Sequence, residues 1–406
     1  MTERTPTLLE HRRFVRVVGG QIAGAIGDQL IPVALSVYVV QRGGSAAAVA
    51  GVLGGRALGL SVCLVVGGML ADRFSRSKVV AIADAYRAGA VLALAILLPY
   101  LPITALGLGT VLIAAGEAIA RPGYRALVPS LLPAELLERG NAVVSAGLRG
   151  SAMLGTLSGA STAVLLGPRL GLVTAGVVFA LGAFTVLGVR EKAPERTPGG
   201  LFADAREGVR AVRERPWMVA VMAAVSLQIL FGTAAALTLL PIVANRSYGG
   251  GFGYGVVLAA LTLGALPAVF AASRWRPRRR GAVSMVALVA YGFLPLSLAV
   301  PLPFPVTVLV FALGGFGVEL FYVYWLSALQ RSVRPELLGR VLALDQLSSF
   351  ALLPLGYALV APSVALLGEV TTLVVSGVIV SASSVLALAV PGVASFADRA
   401  EPAAER

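Results

Sequence analysis

The sequence predicts an all-α membrane protein of twelve transmembrane helices arranged as two pseudo-symmetric six-helix bundles. Three observations predict it: the apolar content, the recurrence of apolar runs of membrane-spanning length, and a repeat of the first half in the second. Of 406 residues, 57% are hydrophobic and 13% charged, more apolar material than one soluble core of this size hides. A helix needs about 20 mostly apolar residues to cross the hydrocarbon layer. Runs of that length recur at 14–40, 46–71, 79–101, 103–127, 140–167, 170–189, 217–244, 253–273, 281–301, 304–328, 341–362 and 364–390. They are continuously apolar and rich in Ala, Leu, Val and Gly, whereas barrel strands alternate apolar and polar over about 10 positions. The first run is longer than the apolar region of a signal peptide and lacks a small-residue cleavage site, so it reads as helix 1. The 47 glycines suit close helix packing.

Charge placement orients the chain. The net charge is +13, which alone would fit a nucleic-acid partner. With both termini cytoplasmic, however, Arg42, Arg169 and Arg246 fall in external loops and Arg56, Arg87 and Arg149 inside spans. That leaves 27 of the 33 Lys and Arg in cytoplasmic segments, counting those at the cytoplasmic ends of the runs. The positive-inside rule accounts for this asymmetry, so no nucleic acid is required and a multi-pass plasma-membrane protein is expected. Cys63 and His11 stand alone, which excludes an internal disulfide or a cysteine-rich metal site. Lys78 follows Ser77 and Lys192 follows Glu191, so no P-loop is present. Without a nucleophile–base set, the expectation is no enzyme, no catalytic residue, no cofactor and no metal.

Residues 190–216 interrupt the apolar pattern with seven basic and five acidic residues and an amphipathic stretch around Ala203–Arg213. This segment reads as a cytoplasmic linker between an N-terminal bundle, 1–189, and a C-terminal bundle, 217–390, followed by a cytoplasmic tail, 391–406. PAELLER at 133–139 matches RPELLGR at 334–340, an offset of 201 that also carries Asp72-Arg73-Phe74 onto Ser273-Arg274-Trp275 and Lys78 onto Arg279. Two matches at one offset argue for a duplicated six-helix unit, the plan of a carrier that exposes a midplane site to each side in turn.

After span 2 comes GGMLADRFSRSKV, beginning at Gly67. Gly68, Asp72, Arg73 and Arg76 resemble the major facilitator signature between helices 2 and 3, with the second basic residue displaced to Lys78. Gly68 permits close helix contact, Asp72 can face a helix N-terminus and the arginines can bridge to neighbouring acids. Such a cluster acts as a cytoplasmic latch, and the resemblance implies Asp345, near the start of helix 11, as its partner. Gly27-Asp28, Asp84, Arg87 and ALVPSLLPAELLERGNAV at 126–143 resemble the branch containing the enterobactin exporter and macrolide-efflux proteins. Two departures stand out. Helix 4 lacks a convincing arginine of the proton-antiporter pattern, and Gly155 is followed by Thr156 where that pattern has Gly-Pro. The resemblance implies a major facilitator fold and export of an amphiphilic small molecule (a drug, natural product or siderophore) by alternating access, in antiport with protons. A lipid flippase or importer of the same fold, or a non-transporting sensor or scaffold, is the alternative.

Ionisable residues inside spans are costly and therefore functional candidates. Asp28, Asp84 and Glu117 face Arg56, Arg87 and Arg149 in the N-terminal half. At about 1.5 Å per residue, Arg87, Glu117 and Arg149 come out at similar depth with Asp84 one turn shallower, so an intramembrane network is expected. Asp28 and Arg56 lie at comparable distances from the first external loop and are expected to pair. An adjacent arginine favours the carboxylate and opposes proton uptake. In the C-terminal half no basic residue falls within a span, and Glu319 has no obvious partner in the sequence. Burial then favours protonation, which makes Glu319, with Asp28, a proton-coupling candidate. On a 3.6-residue period Phe316 and Tyr322 flank Glu319, a lining for a lipophilic or cationic ligand. The expected partners are a small-molecule substrate, protons and membrane lipid, with a monomeric protein.

Overall fold

The computed structural model describes residues 8–133, 136–189, 201–275, 277–300 and 302–396. Every regular element among them is helical: α1 (Arg12–Gln41), α2 (Ala46–Arg73), α3 (Arg76–Leu97), α4 (Leu106–Ser130), α5 (Leu137–Leu165), α6 (Pro168–Val186), α7 (Leu201–Arg213), α8 (Pro216–Leu227), α9 (Ala234–Ser247), α10 (Gly251–Arg274), α11 (Arg280–Ala299), α12 (Phe304–Ser332), α13 (Pro335–Phe350), α14 (Leu353–Leu367) and α15 (Glu369–Ala387). Eleven helical segments among the described residues are long and apolar enough to cross a membrane. The twelfth expected span is α5, whose 29 residues are diluted by Gly, Ser, Thr and Arg149.

Two spans are broken helices. The seventh runs through α8, a π-helical turn at Gln228–Thr233, and α9. The eleventh comprises α13 and α14, which part at Ala351–Leu352 just before Pro354. Proline has no N–H to continue the helical ladder. Irregular backbone within a membrane span has to be satisfied locally. Here Thr233 Oγ1 donates to the Gln228 carbonyl at 3.4 Å, and side chains brace the turn: Gln228 Nε2 donates to Ser384 Oγ at 2.9 Å and to Ser383 Oγ at 3.2 Å, and Thr233 and Tyr291 share a hydrogen bond of 2.9 Å.

The chain divides into two compact units, Met1–Thr197 and Pro198–Arg406. In the first, α2 packs along α4, α3 along α4 and α6, and α1 against α5 and α6. In the second, α10 packs along α12, α11 along α12 and α15, and α8 and the π turn against α15. Spans 2 and 4 of one unit thus correspond to spans 8 and 10 of the other. Both pairings rest on backbone-to-backbone approach. A Cβ added at Gly55, Gly59 or Gly67 would collide with the α4 backbone, and one at Gly264 or Gly315 with the α12 or α10 backbone. Small residues at these crossings are what lets the helices close.

Part of the segment read as a linker is ordered into α7. Its buried Ala211 and Val212 join the core of the second unit, Gly208 lies against Arg340 and Leu344 of α13, and Glu207 forms an ion pair with Arg340. After α15 the chain turns back through residues 391–396. Phe396 is buried there against Trp217 and Trp325, with ring centroids 6.0 and 5.8 Å apart.

Candidate functional site

The charged residues of the first unit converge because of helix periodicity. On α1, Gln21, Gly24, Ala25, Asp28 and Gln29 recur at spacings of three and four and so share one face. On α4, Glu117, Ala120, Arg121, Tyr124 and Arg125 do the same. With Arg56 of α2, Arg87 of α3, and Leu148 and Ala152 of α5, these residues line a cavity of about 260 Å³.

Two ionic trios make up its walls. In the first, Arg87 is 3% exposed and bound on two sides. Its Nη1 donates to Asp84 Oδ1 at 3.0 Å and its Nη2 donates to Asp28 Oδ1. Asp84 is fully buried and also accepts from the Tyr124 hydroxyl at 2.7 Å. Asp28, 15% exposed, is the acid of this trio that lines the cavity. The Phe179 ring lies over the Arg87 guanidinium with 3.8 Å from Cζ to the centroid, a cation–π contact in a desolvated setting. Two glycines make room for this stack. A Cβ on Gly27 would meet the Phe179 ring at 2.7 Å, and one on Gly116 would meet the Arg87 stem at 2.5 Å.

In the second trio one acid holds two bases. Glu117 is 2% exposed, accepts from Arg56 Nη2 at 2.9 Å and Arg56 Nε at 3.2 Å, and pairs with Arg121 one turn along α4. The α2–α4 glycine contacts place Arg56 beside Glu117. Asp28 also feels Arg56, Glu117 and Arg121 electrostatically, so the trios adjoin.

The structure redistributes several sequence expectations. Asp28 pairs with Arg87 in place of Arg56, and Arg56 pairs with Glu117. Arg149 occupies an exposed position of α5 outside the set that lines the cavity, although it does make an interaction. Arg121, counted with the cytoplasmic charges although it falls inside the expected run 103–127, lies in α4 and lines the cavity with Tyr124 and Arg125. The signal for it was present: Glu117, Arg121 and Arg125 repeat every four residues, one helical face within the expected run 103–127.

Of the latch residues, Gly68 lies in α2 and Arg76 begins α3. The side chains of Asp72 and Arg73 lie outside the described residues. Asp345 in α13 accepts a 2.9 Å hydrogen bond from Trp325 Nε1 of α12. Glu319 is half-buried in α12 and, unlike the sequence expectation, does make an interaction. Phe316 packs on the core of the second unit, whereas Tyr322 is 37% exposed.

The sequence pattern of the Major Facilitator Superfamily matches residues 17–353, and no curated protein matches the chain by sequence. Among solved structures the chain is similar to a POT family transporter in complex with 5-aminolevulinic acid, with 11% identity, TM-score 0.72, and 93% of this chain and 95% of that one covered. It is also similar to a nucleoside transporter, NupG, with 13% identity, TM-score 0.67, and 94% and 99% covered. A D-xylose-proton symporter aligns with 15% identity, TM-score 0.67, and 94% and 97% covered. At these identities the likeness is one of fold. With the family pattern spanning most of the chain and the same helical architecture throughout, the chain belongs to the major facilitator superfamily.

Proposed function

We propose that the protein is a secondary active transporter that exports an amphiphilic small molecule in exchange for protons, by alternating access of its two units. It sits in the plasma membrane as a monomer with both termini cytoplasmic and uses no catalytic residue, cofactor or metal. The observation that carries this reading is the Asp28–Arg87–Asp84 trio. Two carboxylates share one guanidinium in this trio, so one of them can take up a proton while the other stays paired to Arg87. Asp84 is sealed by Arg87 and Tyr124, so Asp28, which lines the cavity, is the acid a proton reaches. Protonation releases Arg87 to Asp84 alone, and the cavity loses the negative charge beside its substrate-accessible face. Glu319 is the corresponding candidate in the second unit.

Gly68, Asp72, Arg73, Arg76 and Asp345 form the latch of this reading and set the balance between inward-open and outward-open states. The bundles 1–189 and 217–390, joined by 190–216 and followed by the tail 391–406, are the moving parts. A second reading, import by symport, takes support from the likeness to a D-xylose-proton symporter. Sealed vesicles loaded with a fluorescent amphiphile separate the two. Export by antiport expels the amphiphile against an inward proton gradient, and flux that runs with the protons instead overturns the export reading.

A further inference from the structure

The wall of the cavity built by α2 and α4 carries more positive charge than its acid neutralises. Glu117 lies beneath Arg56 and Arg121, whose side chains remain 25% and 41% exposed while Glu117 is 2% exposed. Arg125 stands one further turn along the same face of α4 and lines the same cavity. On this wall one carboxylate meets three guanidiniums, and with Asp28, Asp84 and Arg87 counted the site still carries one positive charge in surplus. Each guanidinium offers five N–H donors in a planar fork, and Glu117 takes two of those on Arg56 and one on Arg121. The remaining donors are available to a ligand.

The α1 wall supplies the complementary feature. Gln21 lines the cavity, and its Oε1 is buried without a hydrogen-bond partner in the protein. Buried acceptors are rarely left so. A cluster serving only to hold helices together reaches neutrality and satisfies its polar atoms. This one is positive on one wall and has an open acceptor on another. Its volume, about 260 Å³, lies just under the range of whole small-molecule sites, which suits a head group and not an entire amphiphile.

Building on the transporter reading above, we propose that the head group taken up here is an anion, a carboxylate or a phosphate, docked on Arg56, Arg121 and Arg125, with a donor of the same molecule reaching Gln21. Planar, bidentate recognition of these two groups is what arginine does best. The transported molecule is then an anionic or zwitterionic amphiphile: the surplus positive charge disfavours a purely cationic one, and a neutral one leaves the guanidinium donors of this wall without an ionic partner.

The test is equilibrium binding to the full chain in nanodiscs, with empty nanodiscs subtracted. The probes share one tail: hexanoate, hexyl phosphate, hexyltrimethylammonium and hexyl glucoside. Hexanoate or hexyl phosphate binds at least ten-fold more tightly than the other two, and which of them binds better tells carboxylate from phosphate. Arg125→Gln, at an exposed position that leaves both trios intact, weakens the preferred anion about ten-fold, as does Arg121→Gln. Arg274→Gln, outside the cavity, binds as the native protein does. Equal binding of the cationic or neutral probe overturns the proposal. So does unchanged anion binding in both cavity variants, or no anion binding at millimolar concentration by protein with native thermal unfolding. Binding is read without any gradient, so anion binding that persists while proton exchange fails removes the antiport reading and leaves the anion subsite standing.

Discussion

The two units share a packing scheme and differ in what fills it. In the first, Asp28, Asp84, Glu117, Arg56, Arg87 and Arg121 meet around a cavity, and Phe179 is held over a guanidinium by the absence of a side chain at Gly27. In the second, the described contacts of the interior are mostly uncharged, with Glu319 and Asp345 its half-buried acids. Gln228 bonds to Ser383 and Ser384, Tyr248 to Thr307 at 2.9 Å, and an aromatic cluster of Trp217, Phe321, Trp325 and Phe396 closes one end. The helix breaks at Gln228–Thr233 and Ala351–Leu352 also lie in the second unit. The glycine contacts that set the α2–α4 and α10–α12 crossings constrain backbone alone. Side chains on the inner faces were left to diverge, one unit toward charge chemistry and the other toward hydrogen bonding and helix breaks.

Substitutions that remove one side of this contrast have graded costs. The largest is expected for Arg87→Met, which strands Asp28 and Asp84 beside each other. Removing one partner of a buried pair costs about 3–5 kcal/mol, read as a drop in thermal unfolding temperature of purified protein. Adding Asp84→Asn should recover part of that loss, and no recovery would mean that Arg87 acts by packing. Phe396→Ala, the counterpart in the second unit, empties a buried aromatic position at about 3–5 kcal/mol, with no change in the charge-dependent behaviour of the cavity. Gly27→Ala places a methyl against Phe179, an overpacking cost of about 1–3 kcal/mol, and should displace the ring from Arg87. Gln228→Leu should cost about 1 kcal/mol, since Ser383 and Ser384 keep their backbone acceptor at Val380. Smallest is Glu207→Gln. It breaks an exposed pair with Arg340 worth about 0–1 kcal/mol, and a larger effect would show that α7 is held by this pair more than by Ala211 and Val212.

The helices and the duplication were legible because hydropathy and the offset of 201 residues are properties of the chain itself. The identity of four of the cavity's six charged residues was legible too, since Asp28, Arg56, Arg87 and Glu117 stand out as charges within apolar runs. Their pairing was not. Counting residues from a helix end gives depth but not azimuth, so Asp28 and Arg56 appeared as partners although the α2–α4 glycine contacts turn Arg56 to Glu117. Arg121 was hidden because a charge near the end of an apolar run looks like loop, and only its four-residue spacing from Glu117 and Arg125 marks it as part of the same face. Trp325 lies near a span end, where aromatics often sit at the interface, yet it is buried and bound to Asp345, a contact that depends on a residue 20 positions away.

The central claim is that the cavity-lining acid of the first trio, Asp28, carries the coupling proton. It is tested most directly in proteoliposomes that enclose a pH-sensitive dye, by recording proton movement when a transported amphiphile is added to native protein, Asp28→Asn and Glu319→Gln. Substrate-dependent proton movement should vanish in Asp28→Asn while anion binding to the cavity persists, and its loss in Glu319→Gln as well would assign that residue a share in the coupling. Native proton movement in Asp28→Asn would contradict the account.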